Sequence, residues 1–596
     1  MADFFAAFGR KFLNDKFVVA ILIAASFFVY ANSLLNDFVW DDEEQVVNNT
    51  VIRDWSNLPL VFAASTFYAG GAGLSGGFYR PLVTLSYFWN YSYWGLNPLG
   101  YHLTQLFFHC VNSILIFYLF RKIFDDRQIQ YGRFAAAGAA MLFAVHPANV
   151  ESVAYVASIG EAMYVFFALM ALLFFAKSFE NGYLSRPRYF WGSFVLVFMG
   201  LLAKESAAAA LPLMFGYLLL FTKNNRPVIL KFAAAFAVVA GSYLFLRFFV
   251  AKIAPVSVFY APIHLAPLWQ RLVTIPYEIA SYLGIIFFPK DLSIARHFVV
   301  VSPADPKFWA ATIFLVLIFS AVFLYAAKTK SKIFHFFILW FGISLAPVLN
   351  IVPLDMTMAE RWLYFPLIGF LGAASFAAVD AAQKTTPKKQ KIAAALLAIA
   401  IAALGFRTIS RNNDWKNGLS LYGHDISLEA AISPQGNYDL ENNYGVELFR
   451  AGRFDDAKKH FEESIALQPN WEYPQNNLGA ALERDGDLNG ALVQYRKAAE
   501  MGYYLAHENT AGILIRMKRY DEARKFIEDS LLKMPQNVNL QFKLAYLYAA
   551  DNAGNKDKLA RQKAVYLLSL ILQSDPQNQN AAALYQMIQS GRKIEI

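Results

Sequence analysis

The chain has 596 residues, 57% of them hydrophobic and 16% aromatic, with only 16% charged. A soluble globule could not hide that much apolar surface, so the composition describes a polytopic membrane protein with a soluble appendage. The formal net charge is +9, but the basic residues gather in short loops between hydrophobic runs, the imprint of orientation in a bilayer, which excludes nucleic acid as a partner.

In chain order, Phe17 to Leu35 follows Arg10, Lys11 and Lys16 and lacks a small-residue cleavage site, so it reads as a retained first span. A crossing needs about 20 apolar residues for roughly 30 Å of hydrocarbon. Besides 17–34, candidates lie near 103–121, 133–147, 154–176, 189–203, 206–222, 228–250, 271–288, 307–327, 333–352, 361–381 and 391–407. The expected architecture is all-α, a polytopic bundle of about 11–12 hydrophobic helices. The single cysteine, Cys110, lies inside one of these runs as a small apolar side chain, so no disulfide framework or thiolate metal site is available.

Clusters of lysine and arginine set the orientation. Arg121, Lys122, Arg127 and Arg133 form one, Lys177, Arg186 and Arg188 another, then Lys223, Arg226 and Lys231, then Lys328, Lys330 and Lys332, and last Lys384, Lys388, Lys389 and Lys391. These are assigned to the cytoplasm. The loops holding Asp41 to Glu44, His146 to Glu151, Lys204-Glu205 and Ala359-Glu360-Arg361 then share the opposite surface. Three hydrophobic segments separate Lys231 from Lys328, where parity demands an even number of crossings. The segment 271–288, interrupted by Pro276 and Glu278, is expected to be re-entrant or to lie along the interface.

Beyond residue 408 aromatic-rich runs give way to helix formers with scattered charge. Asn442-Asn443-Tyr444-Gly445, Ala457 and Pro469 are followed by Asn476-Asn477-Leu478-Gly479 and Ala491, a spacing of 34 residues. A third copy supplies Thr510-Ala511-Gly512, Tyr520, Ala523 and Pro535, and a fourth, longer one Ala564 and Pro576. Small residues at these positions let two antiparallel helices approach closely, which is the tetratricopeptide pattern and predicts an α-solenoid. The expected organisation is a membrane domain over 1–407 with its first extracytoplasmic loop at 37–102, a linker over 408–436, and about four repeats over 437–596.

The chemistry concentrates in Phe38-Val39-Trp40-Asp41-Asp42-Glu43-Glu44, just after the first span. Crowded carboxylates raise at least one pKa toward that of a useful base, so Asp41 and Asp42 are the candidate catalytic residues. Ionisable residues at the ends of hydrophobic segments are costly unless paired or useful. Arg361, Lys204 and Arg80 are therefore candidates to clamp a phosphate, and His102, His146, Glu151, Glu205, Glu360 and Tyr364 to orient substrates. Lys204-Glu205 and Glu360-Arg361 also read as local ion pairs. His102 and His109 share a helix face without a third ligand, so no catalytic zinc is predicted. A divalent ion on Asp41, Asp42 or Glu151 stays open, although nothing in the spacing demands a metal or another cofactor.

The ordered set of Asp-Asp after the first span, Tyr79-Arg80-Pro81-Leu82, Gly100-Tyr101-His102, His146-Pro147-Ala148-Asn149-Val150-Glu151, Ala203-Lys204-Glu205 and Ala359-Glu360-Arg361-Trp362-Leu363-Tyr364, followed by the repeats, resembles the transmembrane and tetratricopeptide repeat-containing O-mannosyltransferases. These are GT-C glycosyltransferases. The resemblance covers nearly the whole chain. It implies a polyprenyl-phosphate sugar donor, transfer with inversion to Ser/Thr hydroxyls of exported polypeptides, and a first-loop acid as base, which maps onto Asp41 or Asp42. The short repeat array points to a bacterial inner-membrane member with its repeats in the periplasm, recruiting the acceptor or a protein partner. Two other readings fit the same sequence: a glycolipid or surface-polysaccharide glycosyltransferase, and a non-catalytic membrane scaffold for export or assembly.

Overall fold

The computed structural model describes residues 14–67, 77–223, 226–253, 260–551 and 558–590, with 592 and 594; Arg10 and Lys11 lie outside the described residues. The chain divides into two compact units, Met1–Gly436 and Asn437–Ile596.

Among the described residues of the first unit, seven helices are long and apolar enough to cross a membrane: Asp15–Leu35, Pro98–Asp125, Val156–Lys177, Arg226–Val250, Pro306–Thr329, Pro366–Gln383 and Pro387–Asp414. Four shorter apolar helices join them, Gly132–Val145, Pro187–Ala203, Glu205–Phe221 and Lys332–Val348. The helices used below are α1 (Asp15–Tyr30), α2 (Pro81–Trp94), α3 (Pro98–Asp125), α4 (Gly132–Val145), α5 (Ile159–Lys177), α6 (Pro187–Ala203), α7 (Ala210–Phe221), α8 (Arg226–Phe245), α9 (Leu268–Phe287), α10 (Pro306–Thr329), α11 (Lys332–Leu345), α12 (Pro366–Gln383), α13 (Pro387–Asp414) and α14 (Gly418–Ile432). Helix α10 leaves Phe323 70% and Leu324 67% exposed, a surface suited to hydrocarbon and costly in water. The protein is an integral membrane protein.

The two ends of this bundle differ in chemistry. At one end Asp15 pairs with Arg121 and Arg133, Tyr325 and Lys384 meet Asp380, and Arg127 donates to Phe221 O. At the other end Asp37 N donates to Lys416 O at 2.9 Å, Asn36 to Asn412 O at 3.0 Å and Thr408 to Val145 O at 2.7 Å. The first loop, the start of the 146–151 turn and the exit of α13 therefore meet at one end, away from the basic connections.

Helix α9 covers the segment expected not to cross. Arg271 near its start donates to Asn350 O and Ile351 O, Glu278 at its middle accepts from Asn350 at 3.2 Å, and Ile286 O near its end accepts from His146. Asn350 in turn donates to Thr357 O, beside the Glu360-Arg361 turn. The beginning and the end of α9 thus both touch loops of the acidic end.

Residues 408–436, expected as a linker, form the last turns of α13 and helix α14 and belong to the first unit. Their polarity suggested solvent, but Thr408, Arg411, Asn412, Trp415 and Asp425 are buried, with Asp425 accepting from Ser293 Oγ and Ile294 N at 2.8 Å each. Thr408 and Asp425 bond loop backbone and Arg411 pairs with Glu360, Asp414 and Asp425, contacts that hydropathy cannot foresee.

The second unit is a stack of helix pairs: α15 (Tyr438–Arg450) with α16 (Phe454–Leu467), α17 (Glu472–Arg484) with α18 (Leu488–Glu500), α19 (Tyr504–Arg516) with α20 (Tyr520–Lys533), and α21 (Val538–Asp551) with α22 (Lys558–Ser574), followed by α23 (Gln579–Gln589). A Cβ on Gly445 would stand 2.6 Å from the Phe461 ring, so only glycine lets α15 lie this close to α16. This is the tetratricopeptide-like solenoid that the 34-residue spacing predicts.

Candidate active site

The first loop is a tight fold with an unusual backbone. Trp40 has φ of +56°, a left-handed conformation that costs a bulky residue about 1–3 kcal/mol and persists only where its surroundings enforce it. Its ring stacks on Tyr155 at 5.3 Å and 15°, and the Arg361 guanidinium lies 5.4 Å from its centroid. Tyr155 stacks in turn on Trp415 at 5.5 Å, and Arg411 lies 5.9 Å from that ring.

The two adjacent aspartates have different surroundings. Asp42 is fully buried and accepts from Val39 N at 3.0 Å and Ala157 N at 2.6 Å, closing its own turn and tying it to the segment before α5. Burial pushes its carboxyl well above the usual range, against the pull of those amides. Asp41 is half-buried, makes no backbone bond of this kind, and faces Tyr155, Arg361 and Arg80. Burial raises its pKa, Tyr155 and the two arginines oppose that rise, and Asp355 adds to it. A carboxylate raised from its ordinary value yet held near cations has the properties of a general base.

The cations come from three other segments. The turn Glu360–Leu363 carries Arg361, whose backbone N donates to Glu151 Oε2 at 2.7 Å and whose guanidinium also pairs with Glu151. Burial works against the charge of Arg361, but Glu151 and Asp355 hold its pKa above the ordinary value. Glu151 is pushed up by burial and pulled back by Arg361. Lys204, at the end of α6, pairs with Glu161 of α5; burial lowers its pKa, Glu161 opposes this, and the nearby charges of Arg80 and Arg361 lower it further. The contact depends on Gly160, where a Cβ would stand 3.2 Å from Ala203 O. Arg80, at the head of α2, shares Glu205 with Arg247, at 3.3 and 3.1 Å. The structure thus brings Asp41, Arg80, Lys204, Glu151, Glu205 and Arg361 into one electrostatic cluster.

A tetratricopeptide-repeat family model matches residues 439–471. Over 467 residues the chain is 28% identical to a protein O-mannosyl-transferase of Caenorhabditis elegans, covering 76% of this chain and 63% of the relative. Over 602 residues it is 24% identical to the protein O-mannosyl-transferase TMTC3 of Mus musculus, covering 93% of this chain and 64% of the relative. A stretch of 165 residues is 32% identical to the protein O-mannosyl-transferase TMTC1 of Mus musculus, covering 27% of this chain and 17% of the relative. The chain is a relative of the transmembrane and tetratricopeptide repeat-containing O-mannosyltransferases. It spans less than two thirds of the length of the first two of these relatives. A chain in the crystal structure of the APC/C hetero-tetramer Cut9-Hcn1 aligns with a TM-score of 0.25 and 14% identity, covering 82% of this chain and 84% of that chain, too loosely to bear on the fold.

In this relative of the O-mannosyltransferases the remaining expected site residues do structural work. His146 Nδ1 accepts from Ala148 N, so its Nε2 donates to Ile286 O at 3.0 Å; burial lowers its pKa to about 4, which fixes it as a neutral cap. His102 donates to Asn36 O at 3.0 Å and anchors the exit of the first span. Tyr364 donates to His109 Nδ1 at 2.9 Å inside the bundle, while His109 Nε2 donates to Ala144 O. Each of these three residues bonds within the bundle or at a helix end, and none is among the groups acting on Asp41. Glu360 pairs with Arg411 at 3.5 Å, one shell behind Arg361.

Asp42 spends its oxygens on amides and Glu151 on Arg361. Among the described residues no three His, Cys, Asp or Glu side chains converge as a ligand set.

Several members of the site were invisible to pattern reading. Arg247 sits in the π-helical turn Leu246–Val250 and also donates to Gly77 O at 2.7 Å. Gln105 donates to Tyr155 O and Val156 O at 2.5 and 3.0 Å, and Tyr87 donates to Val156 O at 3.4 Å. Tyr155, Glu161, Trp415 and Arg411 complete the set. Glu161 and Gln105, polar residues within apolar spans, carried the one usable signal.

Proposed function

We propose that the protein is a membrane glycosyltransferase of the GT-C class that moves a monosaccharide from a polyprenyl-phosphate donor to Ser/Thr hydroxyls of exported proteins. The observation that carries this reading is the division of labour in the first loop: Asp42 is consumed by two backbone amides, whereas Asp41 stays free of them beside Arg361 and Arg80. Asp41 takes the proton of the acceptor hydroxyl as its oxygen attacks the anomeric carbon. The bond from that carbon to the phosphate oxygen breaks, and the charge left on the lipid phosphate falls to Arg361, Arg80 and Lys204. A single displacement of this kind inverts the anomeric centre. Mannose is the sugar named for the relatives and is the first to test.

The repeats recruit the acceptor or a partner on the same side as Asp41. This reading is supported by the end of the first unit, where Asp37 N bonds Lys416 O and places the start of the exit segment beside the first loop. A bacterial inner membrane with the repeats in the periplasm fits this arrangement. The test is transfer to a Ser/Thr-rich peptide by purified full-length protein carrying Asp41→Asn or Asp42→Asn. Loss of turnover in Asp41→Asn at unchanged membrane abundance is expected; wild-type turnover in that variant removes Asp41 as the base, and turnover preserved with both aspartates replaced removes the enzyme reading.

A further inference from the structure

Tyr155 is the least explained buried group in the site. Tyr155 is 3% exposed, and among the described residues no bond from its hydroxyl meets ordinary hydrogen-bond geometry, although the hydroxyl lies within interaction range of the Asp41 carboxylate. A buried hydroxyl left in that state is costly, so it calls for a group to serve. The group beside it is Asp41, whose charged form it favours.

The ring that carries this hydroxyl is fixed on every side. Trp40 covers one face and Trp415 also stacks on it. The backbone beneath is clamped by Gln105 on the Tyr155 and Val156 carbonyls and by Asp42 on Ala157 N. The other Asp42 oxygen accepts from Val39 N and closes the turn that holds Trp40 in its left-handed conformation one residue before Asp41. Loop strain, aromatic stack and buried hydroxyl are therefore one arrangement directed at one carboxylate. Around Asp41 stand Arg361 and Asp355 from the 355–361 loop, Arg80 and Tyr87 from α2 and its approach, and Asp42 from its own turn. Arg361 and Arg80 are charged and pair in part with Glu151 and Glu205, and the Tyr87 hydroxyl is used by Gln45 Oε1 and Val156 O, so Tyr155 is the neutral hydroxyl of the group with no other acceptor.

We propose that Tyr155 is a positioning residue that donates a hydrogen bond to the Asp41 carboxylate as the substrates assemble, with Trp40 and Trp415 holding its ring for that purpose. This rests on the reading of Asp41 as the base. No proton is transferred to or from Tyr155; it orients the carboxylate oxygen that takes the acceptor proton and keeps that carboxylate charged.

The test has one arm that does not need turnover. A hydrophobic carbodiimide reacts with protonated carboxyls, so the modification of Asp41 in the full-length protein, followed by mass spectrometry across pH, reports its titration. Tyr155→Phe keeps the ring and the stack and removes only the hydroxyl. The midpoint of Asp41 labelling is expected to move to higher pH, with labelling near neutral pH at least threefold above wild type. The rising limb of kcat against pH moves the same way, and kcat falls about tenfold with donor KM unchanged. Trp415→Leu, which frees the ring without removing the hydroxyl, gives a smaller shift of the same sign and serves if Tyr155→Phe does not accumulate. An unshifted labelling curve in both variants overturns the proposal. Failure of the underlying reading looks different, because Asp41→Asn then retains turnover whatever Tyr155 does to the labelling.

Discussion

Replacing Asp42 should separate a structural aspartate from a catalytic one. Both Asp42 oxygens face N–H donors, Val39 N at 3.0 Å and Ala157 N at 2.6 Å, and the side chain is fully buried. Asparagine fits the space but must turn its NH2 toward one of those donors. One charge-assisted bond, worth about 1.5–3 kcal/mol, is lost, and an amide is left buried without an acceptor. The net cost is about 2–4 kcal/mol. At roughly 1 °C per kcal/mol for a unit of this length, the apparent melting temperature in detergent falls by about 2–4 °C. Turnover of the surviving folded protein also falls, because the turn that holds Trp40 and presents Asp41 is slackened. Asp41→Asn removes no such bond and should melt within about 1 °C of wild type, since substitutions that leave no buried group stranded are usually nearly neutral. Differential scanning fluorimetry on the two purified variants decides the matter. A wild-type melting temperature for Asp42→Asn together with a large drop for Asp41→Asn would reverse the two roles and refute the division of labour.

Glu360 provides a pH test. Its pKa is raised to about 8 by burial, against Arg411, above its ordinary 4.5, so its contribution to stability is complete below about 4.5 and is lost as pH rises through about 8. Wild type should therefore lose melting temperature between pH 5 and 8 relative to Glu360→Gln, and parallel curves would show that Glu360 does not titrate there. In the repeat unit, Gly445→Val drives a side chain into the Phe461 ring and should destabilise the first helix pair by about 1–3 kcal/mol. Limited proteolysis should then cut within 438–467 faster than in wild type while the helices before residue 436 stay protected. Single cysteines in a Cys110→Ser background test the two ends of the bundle: positions 37 and 416 should share one labelling phenotype toward an impermeant maleimide in cells, and positions 330 and 384 the opposite one. A common phenotype at all four removes the assignment of sides.

Much of the fold was legible because hydrocarbon imposes a length on each apolar run and leaves lysine and arginine at one end of it. Helices α3, α5, α8, α10, α12 and α13 follow from that rule. The repeats were legible for a different reason: close helix packing needs a small residue at a fixed interval, so Gly445 and Gly479 mark the array. Residues 408–436 were not, because Arg411, Asp414 and Asp425 look like solvent-facing charge, and only the fold shows that they neutralise one another and the backbone around Ser293. The acidic run after the first span pointed to the site without resolving it. Asp41 and Asp42 are adjacent and chemically identical, and what separates them is an amide 115 positions away at Ala157. The partners of the cations were hidden in the same way: Lys204 was expected to pair with its neighbour Glu205, yet it bonds Glu161 on another helix and leaves Glu205 to Arg80 and Arg247.

That exchange of partners has a consequence for a site at the edge of a membrane. An unpaired cation there is costly, and a site built to receive phosphate must hold several. Three carboxylates serve the four cations: Glu151 pairs with Arg361, Glu161 with Lys204, and Glu205 is shared by Arg80 and Arg247. The cluster is thereby kept near neutrality in the resting protein, which makes its burial affordable. The pairing is incomplete in atomic terms. Arg361 Nη2 has only the Met356 sulfur at 3.6 Å, and Arg80 bonds Glu205 through Nε alone, with its terminal nitrogens lacking an acceptor among the described residues. An arriving phosphate can engage those N–H groups while every carboxylate stays in place, so binding adds bonds without first breaking ion pairs, and both arginines are already in the field of Asp41.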